Sequence, residues 1–178
     1  MKAFKKIAVI GKYPSKEEST DINSQLLQLV EHLSKKPVEL FVEEKTQQQL
    51  NAQTIQAIAL KDIGACVDLA IIIGGDGTMI GVARNLVDSN TPLVGVNQGR
   101  FGFLADLNTS SMLTNIDSIL NGEYIEDKRM LINTKIIRDD HVVYESLSLN
   151  DIVIKSGVRL IELEVMIDNA FVHRQRSD

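Results

Sequence analysis

The sequence predicts a Rossmann-like, doubly wound α/β sheet followed by the start of an all-β domain, and three observations carry that prediction. Short apolar runs at residues 7–10, 38–42, 67–73 and 92–96 alternate with segments of helical periodicity, the pattern of parallel strands covered on both faces. The run at 67–73 stops at Gly74-Gly75, and in such sheets ligands bind beyond the carboxyl ends of the strands. From about Lys128 the apolar period shifts towards two, which marks a β-rich region. The expected division is residues 1–125 and 126–178.

Taken in order, Ile7-Ala-Val-Ile10 is a buried strand, and a polar loop follows in which Pro14 blocks helix and Ser19 or Thr20 can cap one. Ile22, Leu26, Leu29, Val30 and Leu33 then recur at helical spacing, until Pro37 prevents continuation into the strand at 38–42. Residues 47–61 read as a further helix, with Gln47-Gln48-Gln49 as its solvated start. After the strand at 67–73, helix signals restart at Thr78, where Met79, Val82, Ala83, Leu86 and Val87 supply one apolar face. Residues 92–96 form the next strand, and 108–111 offer a cap for a helix ending near Gly122. In the β-rich part the expected strands are 131–137, 142–147, 151–154 and 160–167. Asp139-Asp140-His141 and Asp168-Asn169 read as turns between antiparallel strands.

The chain has 178 residues, 44% of them apolar, enough for a buried core. Its 24 acidic and 19 basic residues give a formal net charge of −5 without a long run of one sign, so nucleic acid is not an expected partner. Cys66 is the only cysteine, which excludes an internal disulfide or a cysteine-cluster zinc site and fits a reducing cytosol. His32, His141 and His173 form no ligand spacing, so no metal-ligating set is expected. The basic start at 1–6 precedes an apolar run too short for a signal-peptide core or a membrane span. A cytoplasmic location away from membranes is therefore expected.

Chemistry is expected first at Gly74-Gly75-Asp76-Gly77-Thr78. Gly74, Gly75 and Thr78 suit a phosphate loop, because paired glycines let backbone amides approach a phosphate and the following helix adds partial positive charge. Asp76 is the anomaly there. A carboxylate facing phosphates is unfavourable unless a metal neutralises it or it accepts a proton, so it is either a catalytic group or a helix cap. A second segment, Asn97-Gln-Gly-Arg-Phe-Gly-Phe-Leu104, also follows a strand; Gly99 and Gly102 permit a tight turn that Phe101, Phe103 and Leu104 can anchor. A third, Asn150-Asp151, is either a β-turn or an amide–carboxylate pair able to bind ribose hydroxyls. No Gly-x-x-x-x-Gly-Lys-Ser/Thr occurs, which excludes a P-loop enzyme. Gly75, Gly77 and Gly81 approximate a dinucleotide fingerprint with one extra residue, but the next strand ends at Val96-Asn97 without the acidic residue that would hold a ribose.

Together the GGDGT loop, the NQGRFGFL and NDIVIKSG segments and the closing RQRSD resemble bacterial NAD kinases, in order and at similar spacing over nearly the whole chain. GGDGT alone is shared with diacylglycerol and sphingosine kinases and, more loosely, phosphofructokinases; the other elements are more specific. The resemblance implies phosphoryl transfer from ATP or polyphosphate, with Mg2+ or another divalent cation, to the 2′-hydroxyl of the adenosine ribose of NAD. The region 1–125 would be the nucleotide-binding domain and 126–178 the first part of a β-rich NAD-binding domain. Asp76 would accept the hydroxyl proton, with Gly77 beside it in the dinucleotide site. Asn150 and Asp151 match the pair that holds NAD, Arg176 and Asp178 match the Q-R-S-D element, and Arg159 is a further match.

Two positions depart from the pattern: Asp151 stands where glutamate is usual, and Phe101 where leucine is usual. Family members continue beyond this element into a β-rich segment carrying Thr-Pro-Thr-Gly-Ser-Thr-Ala-Tyr. The expectation for a chain ending at Asp178 is an incomplete β domain with unpaired strand edges, poorly behaved alone. The resemblance also implies self-association. Two other readings are a catalytically inactive nucleotide-binding protein and a lipid kinase of the diacylglycerol kinase type.

Overall fold

The computed structural model describes residues 4–12, 19–98, 102–105, 107–157 and 159–177. It comprises two compact units, Met1–Met130 and Leu131–Asp178.

The first unit is built on β1 (Lys6–Gly11), β2 (Glu39–Glu43), β3 (Gln56–Ile58), β4 (Leu69–Ile73), β5 (Leu93–Asn97) and β6 (Leu107–Asn108). They form one sheet in the order β3-β2-β1-β4-β5-β6, with every pairing parallel. The alternation of strand and helix therefore produces the Rossmann-like sheet expected from the sequence.

Successive residues of the central strands feed opposite faces, which is why these runs are apolar throughout. Ile7 and Val9 of β1 and Leu69, Ile71 and Ile73 of β4 pack with Leu26, Leu29, Leu33 and Ile116. Those residues come from α1 (Ser19–Ser34) and α5 (Met112–Leu120). Ala8, Ile10, Ala70 and Ile72 face the other way, onto Ile63, Val82 and Leu86. Val82 belongs to α4 (Asp76–Asn85) and Ile63 to α3 (Ile63–Cys66). All five apolar positions read as the buried stripe of α1 are buried, each contributing roughly 1.5–3 kcal/mol by leaving water.

The segment 47–61 is not one helix. Helix α2 (Glu44–Leu50) starts earlier, on Glu43 as N-cap, and ends at Asn51, which adopts a left-handed conformation with φ 51°. The chain then turns back to lay β3 beside β2, pairing Phe41 with Gln56 and Glu43 with Ile58. A 3-10 turn at Leu60–Asp62 leads into α3. The glutamines at 47–49 do lie in a helix, α2, but the helix expected to continue through 61 gives way at Gln56–Ile58 to pairing with the exposed edge of β2. Nor are those glutamines simply solvated: Gln47 donates to the Ile55 carbonyl and Gln49 to Asn23, each at 2.6 Å.

Helix α4 begins at Asp76, two residues before Thr78, with Gly75 as N-cap. The N-cap of α5 is Ser111, the last residue of the segment 108–111, and its side chain makes no cap hydrogen bond. Asn108 Oδ1 accepts from the Ser111 amide and from the Ser110 and Ser111 hydroxyls, closing the turn that leads into the helix. The side chains of Ser19 and Thr20, together with Pro14, lie outside what is described.

The second unit holds two antiparallel hairpins, β7 (Ile132–Arg138) with β8 (His141–Ser148) and β9 (Ile161–Ile167) with β10 (Ala170–Ser177). Both turn on two residues with positive φ, Asp139 at 49° and Asp140 at 60°, Asp168 at 49° and Asn169 at 64°. Two successive positive φ values are what a type I′ hairpin turn requires, and short Asx side chains tolerate them best. The strand expected at 151–154 does not form. Its apolar residues Ile152, Val153 and Ile154 are exposed, and no described strand offers them a ladder partner.

Candidate active site

Strands β1 and β4 are neighbours from which the sheet is continued in opposite directions, so their carboxyl ends form a topological switch point. A cleft of about 1010 Å³ opens there, large enough for a nucleotide-sized ligand. It is lined by Gly11 and Lys12 at the end of β1, Asp21 and Gln25 of α1, Gly75, Gly77, Thr78 and Asn85 around α4, and Asn97 and Gln98 after β5. Gln98 donates to Gln25 at 3.2 Å across the cleft wall. The Lys12 amide donates to the Ile73 carbonyl at 2.9 Å, and the Gly74 amide to Val96 at 3.0 Å, so the strand ends are tied together at the rim.

Gly75 carries the helix start. Its carbonyl accepts from the amides of Thr78 at 3.0 Å and Met79 at 3.1 Å. The first amides of any helix lack intrahelical acceptors and sit at the positive end of the dipole, so this end of α4 presents anion-binding character to the cleft. Gly74 is packed against Thr78: a Cβ at Gly74 would fall 2.7 Å from the threonine hydroxyl oxygen. A glycine is needed there by close approach.

Asp76 does not cap its own helix. It occupies the first helical position, and its carboxylate reaches the segment after β5: Oδ2 accepts from the Phe103 amide at 2.8 Å and Oδ1 from the Leu104 amide at 3.1 Å. The capping alternative is thereby set aside. Gly102 is the reason the approach is possible, since a Cβ there would fall 2.7 Å from Asp76 Cγ and 2.9 Å from Oδ2, and closer still to Oδ1. Gly95 in β5 likewise admits the same segment, where a Cβ would lie 2.9 Å from the Ala105 Cα.

The anchoring expected of this segment is only partly observed. Leu104 is buried, but Phe103 is 86% exposed; its backbone, not its ring, holds the segment to Asp76. The Phe103 carbonyl accepts from Arg129 Nη1 at 3.2 Å, and Arg129 pairs with Asp127 at 2.8 Å. Gly99 and Phe101 lie outside the described residues.

The remaining expected site residues belong to the second unit. Asn150 and Asp151 are exposed and follow β8, with the Asp151 carbonyl accepting from the Ser148 hydroxyl. Arg159, whose amide donates to the Ser156 hydroxyl at 3.2 Å, lines a concavity of about 650 Å³ with Val153, Ile154 and Lys155. That concavity is the inside of one consecutive segment, whereas the cleft beside Gly75 is a convergence of separate elements, which is the arrangement ligand sites favour. Arg176 lies on β10, with its guanidinium 3.4 Å from Glu162. Arg174 pairs with both Glu162 and Glu164 on the facing strand. Asp178 is outside the described residues.

Lys12, Asp21, Gln25, Asn85 and Arg129 were not singled out by sequence reasoning. Lys12 had a usable signal, since it directly follows a strand of a parallel sheet. The others come together only through the fold. Among the described residues no group of three or more His, Cys, Asp or Glu could hold a metal ion. Asp21 is the one carboxylate among the described residues lining the cleft, too few for an all-protein cation cage.

Comparison with known proteins gives a consistent picture. Residues 7–124 match the family model of the ATP-NAD kinase N-terminal domain. The chain is 40% identical over 177 residues to an NAD kinase of Nitrosomonas eutropha, covering 98% of this chain and 58% of that protein. It is 39% identical to one of Laribacter hongkongensis, covering 98% and 60%. It thus spans somewhat under two thirds of the length of these relatives. Among solved structures, yeast NADH kinase complexed with NADH superposes with a TM-score of 0.72 at 14% identity, over 99% of this chain and 56% of that one. An Archaeoglobus fulgidus NAD kinase in complex with ATP gives 0.62 at 18%, over 97% and 58%. At those identities the likeness establishes the fold.

Proposed function

The chain belongs to the NAD kinase family, and from that premise we propose that it takes part in transferring the terminal phosphoryl group of ATP, or of polyphosphate, to the 2′-hydroxyl of the adenosine ribose of NAD, forming NADP. The observation that carries this reading is the Asp76 carboxylate, at the first residue of α4 and oriented by two backbone amides. A carboxylate oxygen has two lone pairs, so one amide bond to each oxygen leaves capacity for a substrate hydroxyl.

In the proposed step the ribose oxygen bonds to the terminal phosphorus as the bond to the bridging oxygen breaks. ADP departs, and the hydroxyl proton passes to Asp76. A free hydroxyl is a poor nucleophile, and a positioned base contributes roughly 10² to 10⁴ in rate. Gly74, Gly75 and Thr78 would receive phosphate at the start of α4, with Gly77 beside the dinucleotide. Magnesium or a similar cation, held by the phosphates, would supply positive charge that neutralises charge developing there.

The same reading assigns Asn150, Asp151, Arg159, Arg176 and Asp178 to NAD binding, with 1–125 as the nucleotide-binding domain and 126–178 as the start of the NAD-binding one. It also takes the protein as cytoplasmic and self-associating, with neither nucleic acid nor membrane as a partner. The net charge of −5 supports the first exclusion. Among the described residues no helix is long and apolar enough to cross a membrane.

Incubation with NAD, ATP and magnesium tests the assignment, read by phosphorus NMR of the product. A new phosphomonoester on the 2′ oxygen is expected, and a 2′-deoxy analogue of NAD should remain unmodified. Phosphorylation of the deoxy analogue, or of a diacylglycerol in place of NAD, would overturn it.

A further inference from the structure

The role proposed for Asp76 raises the question of what holds its carboxylate still. Both hydrogen bonds it accepts come from a segment distant in sequence, at Phe103 and Leu104. The Leu104 N–H and the Phe103 carbonyl belong to a single peptide unit. On one side of that unit the N–H donates to Asp76 Oδ1 at 3.1 Å. On the other, the carbonyl accepts from the Arg129 guanidinium at 3.2 Å.

Resonance couples the two sides of a peptide. A cation at the carbonyl oxygen draws electron density through the unit and makes its N–H a stronger donor, as in any polarised chain of hydrogen bonds. A donor facing a carboxylate is already in the stronger, charge-assisted class. Arg129 is itself held by Asp127 at 2.8 Å, so the chain runs from Asp127 through Arg129 and the peptide to Asp76. Gly102 completes the arrangement by leaving empty the volume that the carboxylate occupies.

We propose that Arg129 and Gly102 are positioning residues for Asp76: Arg129 fixes and polarises the Phe103–Leu104 peptide, and Gly102 supplies the room in which the carboxylate meets it. Neither needs to touch substrate. The inference rests on the reading of Asp76 as proton acceptor. Rotating a base by even a fraction of its hydrogen-bond geometry costs rate rather than affinity, because the loss is felt when the proton moves.

The test compares Arg129→Gln, Arg129→Lys and Gly102→Ala with the unaltered chain and with Asp76→Asn, by two readouts. In NADP formation, Arg129→Gln and Gly102→Ala should lower kcat about 10- to 100-fold with KM for NAD changed less than about twofold, and Arg129→Lys should recover part of the loss. In proton–nitrogen NMR spectra, which require no turnover, the Phe103 and Leu104 amide protons should lie downfield in the unaltered chain. They should move upfield in Arg129→Gln and Gly102→Ala, towards their positions in Asp76→Asn.

Unchanged kcat and unchanged amide shifts in both variants, with Asp76→Asn inactive, would overturn the positioning proposal and leave the role of Asp76 standing. Full activity of Asp76→Asn would instead remove the reading on which the proposal rests. A lowered melting temperature with kcat intact would reduce Arg129 and Gly102 to structural residues, and so also count against it.

Discussion

One carboxylate oxygen of Glu43 accepts two hydrogen bonds from Thr46, from its amide and from its hydroxyl, each at 2.9 Å. Both residues are buried, and the hydroxyl oxygen in turn accepts from the Gly11 amide at 2.9 Å. Thr46 therefore ties the end of β1, at the cleft, to the start of α2. Replacing it by valine keeps the shape but strands the Gly11 N–H and half of the Glu43 pairing. Thr46→Val should cost about 1–3 kcal/mol in urea unfolding, whereas Thr46→Ser, which keeps the hydroxyl, should preserve most of the stability of the unaltered chain. Equal stability of the valine and serine variants would contradict this account.

Asp117 of α5 sits 2.8 Å from His32 and 2.7 Å from Lys36. Burial, the largest single influence on its carboxyl, raises its pKa, but hydrogen bonds and charge from Lys36 and His32 together bring it below the ordinary aspartate value. A carboxyl depressed by folding contributes stability above its unfolded-state pKa of about 3.9, and loses it as pH falls through the lower folded-state value. The melting temperature of the chain should therefore exceed that of Asp117→Asn at pH 7, with the gap closing below about pH 4. Since Asp117 is partly exposed, salt should narrow the gap. A gap that widens as pH falls would refute the assignment.

Gly81 stands inside α4 on an exposed turn, where an added Cβ would meet nothing within 4 Å. Gly81→Ala should stabilise the first unit by about 0.5–1 kcal/mol, seen as a rise in melting temperature. A fall would mean that the helix needs the glycine for a reason other than space.

The hairpin turn at Asp168-Asn169 closes on the pair Ile167 and Ala170, and Asn169 holds a φ of 64°. Asn169→Ala forces a Cβ-bearing residue without a helpful side chain into that region, at a cost of about 1 kcal/mol, whereas Asn169→Gly should be tolerated. Faster amide exchange along β9 and β10 in the alanine variant only is the expected signature. Equal exchange in both variants would show that the turn does not limit the hairpin.

Where the sequence was legible, a strict period did the work. Ile22, Leu26, Leu29, Val30 and Leu33 announce one buried helix face, and the unbroken run ending at Ile73 announces a central parallel strand covered on both sides. The Asx turns were legible because positive φ leaves few residue types to choose from. The segment after Glu43 was misread because β3 exists only through its pairing with β2, a tertiary gain that local helix preference does not register. The run at Ile152 shows the converse, a strand-like pattern with no described neighbour to pair with. Of the candidate site, Gly75 and Asp76 could be picked out by their place after a strand. The contact of Asp76 with Gly102, Phe103 and Leu104 spans more than two dozen residues and depends on a missing side chain. Only the fold brings it into view.

The central claim is that Asp76 takes the proton from the ribose 2′-hydroxyl, and one comparison tests it most directly: the rate of NADP formation by the chain and by Asp76→Asn at saturating NAD, ATP and magnesium. Asparagine keeps the size of the side chain but cannot accept a proton, so kcat should fall roughly 10²- to 10⁴-fold. An asparagine variant that turns over NAD as fast as the unaltered chain would contradict the account.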